Sequence, residues 1–286
     1  MSPIDKDRFD LEALPEGDFD RSLHGRFENR IEMQVPSHRN EKLQQVLELV
    51  NADTDLYALW LAANVNAMER LGMTDHGPVH VKIVTNIAVR LLRLLIDAGV
   101  PPAVVTHYEL EPEDAEVVVA LAALLHDVGM SIHREDHEAY SLFVAQDKLR
   151  QILPELYDTR TATILRSEVL HAIIAHRSGG QPLTLEAGVV RVADALDMAK
   201  GRSRIPFSSG SLSIHSVSAA AIEGVRLDAG EQRAICVTVE MSNSAGLFQL
   251  DQLLRKKIKG SGLEPHVEVK AQLGDEEKRL LTDFTL

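Results

Sequence analysis

The stretch that decides the fold is Val117-Val118-Val119-Ala120-Leu121-Ala122-Ala123-Leu124-Leu125, which runs directly into His126-Asp127. Nine apolar residues in a row read as a helix buried on every side. Two adjacent side chains able to bind a metal then stand where that helix should end. An unpaired buried carboxylate costs several kcal/mol or takes up a proton, so a cation is the simplest way to keep Asp127 ionised.

Four further segments fit the same reading. In Asp75-His76-Gly77-Pro78-Val79-His80, Gly77-Pro78 predicts a turn and a new helix from about residue 79, with His80 in its first turn. In Val190-Arg191-Val192-Ala193-Asp194-Ala195-Leu196-Asp197, an apolar helix carries two acidic residues three apart on one face. Asp is a poor helix former and a costly core residue, which points to a functional reason for it there. Between these lie His133, His137, His171 and His176, in Ser131-Ile132-His133-Arg134-Glu135-Asp136-His137-Glu138 and Leu170-His171-Ala172-Ile173-Ile174-Ala175-His176-Arg177.

The order His80, His126-Asp127, Asp194 resembles the HD superfamily of metal-dependent phosphohydrolases, over roughly residues 70–205. Val84 four positions after His80, Val128-Gly129 after the dipeptide, and Ala193-Asp194-Ala195-Leu196-Asp197 carry the match. The resemblance implies a first ion on His80, His126, Asp127 and Asp194. The patterns His137-Glu138-Ala139-Tyr140-Ser141 and Ile173-Ile174-Ala175-His176 imply a second ion on His137 and His176. His133, if helical with His137, shares its face and is a candidate ligand or proton donor. His171 lies about 500° round a helix from His176 and reads as structural. His76 reads as a turn residue bonded to backbone. Arg134 and Arg177 are the candidate phosphate-binding cations, ahead of Lys82, Lys200, Arg202 and Arg204.

Hydrolysis of a phosphate ester at neutral pH needs a nucleophilic hydroxide and a counter-charge for the phosphoryl oxygens, and a divalent metal supplies both. Imidazole mixed with carboxylate suits Mn, Fe, Co, Ni or Zn, with Mg admissible, better than Ca. The expected activity is therefore cleavage of a phosphate ester in a nucleotide or related small phosphorylated substrate. Two other activities share the resemblance: an HD-type diiron oxygenase, and a sensor that binds ligand without turnover. An intact ligand set weighs against the sensor. Gly179-Gly180 is followed by Gln181-Pro182 and not by the Gly-Tyr-Pro extension of cyclic di-GMP phosphodiesterases.

Composition frames these expectations. The chain has 286 residues, 45% of them apolar, and a net charge of −13. That length and apolar content allow a sizeable core. The acidic balance argues against partners such as extended nucleic acid or an anionic membrane surface, and favours a small phosphorylated molecule. A single cysteine, Cys236, excludes an intramolecular disulfide. It fits a reducing, cytoplasmic setting. The N-terminus lacks the pattern of a signal peptide, and Arg90 and Arg93 interrupt the longest apolar candidate for a membrane span.

The expected fold is mainly α. A polar leader covers residues 1–37, within which 28–35 could pair as a strand. An HD-type helical bundle covers 38–205, with helices in 41–71 broken at 51–53, then at about 79–98, 112–126, 136–150, 159–176 and 185–200. A small α+β domain covers 206–286, with strands at 212–217, 221–227, 234–241 and 266–273 and a helix at 245–259. It is read as ferredoxin-like or ACT-type, a structural or dimerising appendage through which the chain could form a homodimer.

Overall fold

A computed structural model describes residues 23–177, 179–198, 218, 220–273 and 284–285. The apolar run lies at its centre. Helix α6 (Pro112–Leu125) is buried at every residue from Val117 to Leu125. Its start is fixed by Pro112 in the first turn and by a reciprocal capping box between Glu111 and Asp114, which satisfies amides that the helix cannot pair internally. At its other end the Leu124 carbonyl accepts the indole N–H of buried Trp60 at 2.9 Å.

Around α6 pack α2 (Glu41–Ala52), α4 (Pro78–Asp97), α8 (Thr159–Ala175) and α9 (Leu185–Leu196), with α5 (Ala103–Tyr108) alongside. Helix α3 (Thr54–Asn64) supplies Trp60, and α7 (His137–Ile152) packs on α8. The break expected at 51–53 is one residue doing two jobs. Asp53 ends α2 and caps α3 by accepting the Leu56 N–H at 2.8 Å. Helix α3 then continues as a π-helical turn, Val65–Arg70.

Residues 28–35 do not form a strand. Helix α1 (Leu23–Glu28) ends there, and the extended chain beyond it finds no neighbouring strand among the described residues. The side-chain amide of Asn51 takes a strand's place, accepting the Met33 N–H at 2.8 Å and donating to the Met33 carbonyl at 3.0 Å. One amide can satisfy both backbone groups of one residue, which removes the need for a ladder.

The C-terminal part is α+β, as the alternating segments predict. Strands β1 (Ile222–Ala229), β2 (Ile235–Met241), β3 (Val267–Leu273) and β4 (Phe284–Thr285) follow one another across the sheet in sequence order. β1 and β2 are antiparallel, whereas β2 and β3 are parallel. A parallel neighbour pair sets this sheet apart from a ferredoxin-like one, whose neighbours all run antiparallel, so that expectation is corrected. The β2–β3 crossover is helical but not one regular helix. It consists of α10 (Leu247–Gln249), a π-helical turn Leu250–Leu254, and α11 (Arg255–Ile258). The strand expected at 212–217 and the boundary expected at 205 lie outside the described residues.

One apolar cluster runs through both parts, taking in Leu121 and Val84 from the bundle with Ile222, Val237, Leu254 and Leu263 from the C-terminal unit. Among the described residues no helix is long and apolar enough to cross a membrane.

Candidate metal centre

Polar side chains in the loops hold the cluster's backbone in place. Asp75 Oδ1 accepts the N–H groups of Gly77 and His80, each at 3.1 Å, capping the start of α4. Asn64, at the end of α3, donates to Asp75 Oδ2 at 2.8 Å and accepts the His76 N–H at 3.1 Å. His80 thus enters the core in the first turn of α4, 1% exposed.

His126 ends α6, and the chain turns at once into the 3-10 turn Val128–Ser131. Gly129 is required by close approach: a Cβ there would lie 2.1 Å from the His137 carbonyl oxygen and 2.4 Å from the Ser141 nitrogen. Ser141 Oγ accepts the Gly129 N–H at 2.9 Å and donates to the His126 carbonyl at 2.6 Å. The Val-Gly after the dipeptide and the Ser of His-Glu-x-x-Ser are therefore two halves of one contact, which fixes α7 against the end of α6.

Four imidazoles converge with their Nδ1 atoms already engaged. His80 Nδ1 donates to Asp197 Oδ2 at 2.6 Å. His126 donates to the Ala123 carbonyl at 2.8 Å and His176 to the Ile173 carbonyl at 2.6 Å. His137 Nδ1 lies 3.0 Å from the Arg134 carbonyl and 2.8 Å from Arg134 Nη1. The carbonyl is the partner that a proton on Nδ1 requires, and it matches the other three rings. Tautomers assigned from these partners leave every Nε2 as a lone pair facing inward.

Inward-facing lone pairs and carboxylates repel unless something positive lies between them. His80 Nε2 and His126 Nε2 are 3.2 Å apart. Asp127 Oδ2 is 3.4 Å from each, and Asp194 Oδ1 is 3.7 and 3.9 Å from them. Two ligands each about 2.1 Å from a shared ion stand about 3.0–3.4 Å apart. The other oxygen of Asp127 faces a second pair: Oδ1 is 3.2 Å from His137 Nε2 and 3.7 Å from His176 Nε2. Asp127 thus presents one oxygen to each of two lobes. The donor set fits divalent transition metal, and groups of three such side chains, His80-His126-Asp194 and His126-Asp127-His176 among them, are close enough to share an ion.

Matching this geometry, the HD domain family model fits residues 79–199. An uncharacterized protein of Methanocaldococcus jannaschii, MJ1020, is 43% identical over 224 residues, covering 78% of this chain and 86% of its own length. The chain belongs to the HD-domain superfamily. The HD match begins one residue before His80 and extends past Asp194 and Asp197, so it spans both lobes.

Electrostatics of the HD cluster follow from burial opposed by neighbouring charge. Burial alone would raise the Asp127 carboxyl. With protons where an ion would otherwise sit, the charges of His126 and His76 and hydrogen bonds from protonated His126 and His137 overcome it and hold the group well below its ordinary range. Asp194 is only partly buried, which still acts upward, yet Lys257 first, then His126, His176 and His80 when protonated, hold it low. Burial, with His126 and Lys257 adding to it, pushes His176 down to about 3. A neutral imidazole is the form a metal needs. His137 is raised: its burial acts downward but is outweighed by the Asp127 carboxylate beside it.

The HD site does not gather every expected residue. His133 is exposed, and its Nδ1 accepts the Glu135 N–H at 3.1 Å. The premise that it shares a helix with His137 fails because α7 starts only at His137, after Asp136 adopts a left-handed φ of 56°. Arg134 is exposed but lies against His137, and Arg177 is exposed next to His176, so both stand at the rim. His171 accepts the Leu183 N–H at 3.0 Å. Lys200, Arg202 and Arg204 lie outside the described residues.

The roles of His76 and Asp197, and Lys257 altogether, escaped sequence reasoning. His76 was expected to bond backbone; instead its Nδ1 lies 2.7 Å from Asp127 Oδ2. Asp197 was visible as the second acid of Ala-Asp-x-x-Asp, and its role is to orient His80. Lys257, more than sixty positions beyond Asp194, gave no local signal. Its ammonium donates to Asp194 Oδ2 at 3.1 Å.

Proposed function

We propose that this protein is a metal-dependent phosphohydrolase that cleaves a phosphate ester in a nucleotide or related small phosphorylated molecule, using two divalent transition-metal ions. The observation that carries the reading is the division of Asp127 between two histidine pairs, Oδ2 toward His80 and His126 and Oδ1 toward His137 and His176. His80, His126, Asp194 and Asp127 would hold one ion, and His137, His176 and Asp127 the other. Bound there, the ions would supply a hydroxide nucleophile at neutral pH and take up charge on the phosphoryl oxygens.

The chain's own groups do the rest. Asp197 and the Ala123, Ile173 and Arg134 carbonyls keep each Nε2 deprotonated and aimed inward, as outer partners of ligating histidines do. Arg134 and Arg177, at the rim, offer planar guanidinium donors suited to phosphate oxygens. The buried walls given by α6 and the start of α4 keep water from screening these charges. A net charge of −13 favours a small substrate over a nucleic-acid polymer.

The test is phosphate release from nucleotides, cyclic nucleotides and generic phosphodiesters by protein loaded with Mn, Co, Ni or Mg, compared with Asp127→Asn. Turnover that needs metal and is lost in the variant supports the reading. Retained turnover in metal-stripped Asp127→Asn, or oxygen consumption without phosphate release, contradicts it.

A further inference from the structure

The C-terminal unit reaches into the cluster through Lys257. Its Nζ donates to Asp194 Oδ2 at 3.1 Å and to the main-chain carbonyl of His176 at 2.6 Å. The two contacts bridge the end of α8 and the last turn of α9, one on each lobe of the centre. Side-chain exposures of 19% for Lys257 and 18% for Asp194 place the pair largely out of water, where screening is weak.

The lysine is not a loosely held surface side chain. Arg191 of α9 donates from Nε to the Lys257 carbonyl at 3.1 Å and from Nη2 to the Lys256 carbonyl at 3.3 Å, while its Nη1 binds the Gly180 carbonyl. Gly188, one turn earlier on α9, admits the Ser261 carbonyl so closely that a Cβ would lie 2.2 Å from it. Backbone contacts on both sides therefore fix where α11 delivers the ammonium.

Asp194 divides its two oxygens. Oδ1 faces His80 and His126, and Oδ2 takes the ammonium. A carboxylate held at one oxygen offers only the other to the cluster and loses less torsional freedom when it binds there. We propose that Lys257 is a positioning residue of the metal centre, so that the C-terminal unit is a working part of the site and not an appendage. This rests on the two-ion reading above.

Co(II) titration followed by visible absorption, with elemental analysis, tests it on the full-length wild type, Lys257→Met, Lys257→Arg and Lys256→Met. Lys256 is exposed and binds Gln252, so its variant serves as the control. The expected result is a loss of Co(II) affinity of about 10–100-fold in Lys257→Met with a changed absorption band. Lys257→Arg recovers most of the loss, and Lys256→Met matches wild type. Circular dichroism of the metal-free proteins checks folding; should the Met variant not fold, Lys257→Gln, which keeps a donor for the His176 carbonyl without the charge, takes its place with the same expected loss. Wild-type affinity and spectrum in the neutral variant, or tighter binding, overturn the proposal while leaving the metal centre intact. Wild type that binds no Co(II) at all overturns the metal centre itself.

Discussion

At the scale of single residues, ligand chemistry depends on what stands behind each ligand. Asp197 accepts from His80 Nδ1 at 2.6 Å and so fixes both the ring's tautomer and its direction. Asp197→Ala is expected to weaken affinity for the first ion by about 10–100-fold, read by metal titration, with far-UV dichroism unchanged; wild-type affinity would deny Asp197 that role. His126, Asp127 and Asp194 were legible because each is a polar group at the end of an apolar helix or within one, a costly placement unless something pairs with it; His80 was legible only through the resemblance, with Val84 four positions on. His76 was not, because its approach to Asp127 depends on Asn64 drawing residues 75 and 76 back against α3. His133 was misplaced for a different reason. Asp136 takes a left-handed conformation that Asp tolerates better than most residues but that nothing in the local sequence demands.

Among the elements, the long helices were the easiest to read and the irregular ones the hardest. Apolar spacing and caps located α2, α4, α6, α8 and α9 to within a few residues of their ends. The π-helical turn Val65–Arg70 left no such signature, yet it delivers Asn66, whose amide donates to the carbonyls of Met130 at 2.7 Å and Ser131 at 3.1 Å. Those carbonyls belong to the turn that follows the HD pair. Asn66→Ala leaves them without their donor and is expected to cost about 1–3 kcal/mol. Urea denaturation measures that loss, and faster amide exchange confined to residues 128–131 would assign it to the turn. Unchanged stability would mean that the turn holds itself. Strands β1, β2 and β3 were legible from alternation, but β4 and the order of the sheet were not. Pairing depends on the direction in which the crossover returns the chain, and residues 245–259 carry no sign of that.

For the whole molecule, the bundle and the C-terminal unit share one apolar core, and the candidate metal cluster lies in the bundle, on side chains at or beside α4, α6, α7, α8 and α9, with Lys257 of α11 reaching it. Net charge supports the small substrate proposed above, but Lys257 was beyond reach of the sequence because only tertiary packing brings it to Asp194. A cluster of buried carboxylates and neutral imidazoles is strained without its ions, so metal removal is expected to lower the melting temperature. Bound at about a thousand times its dissociation constant, one ion stabilises the fold by about 4 kcal/mol, a shift that calorimetry resolves between chelated and reloaded protein. No shift would mean that the ions contribute nothing to folding. The most direct test of the two-lobed centre is metal content per chain, by elemental analysis of wild type and Asp127→Asn after reloading with Mn or Co and removal of excess. Two equivalents in wild type, both lost when the shared carboxylate is replaced, is the predicted result. One equivalent or none in wild type, or two retained in the variant, would contradict it.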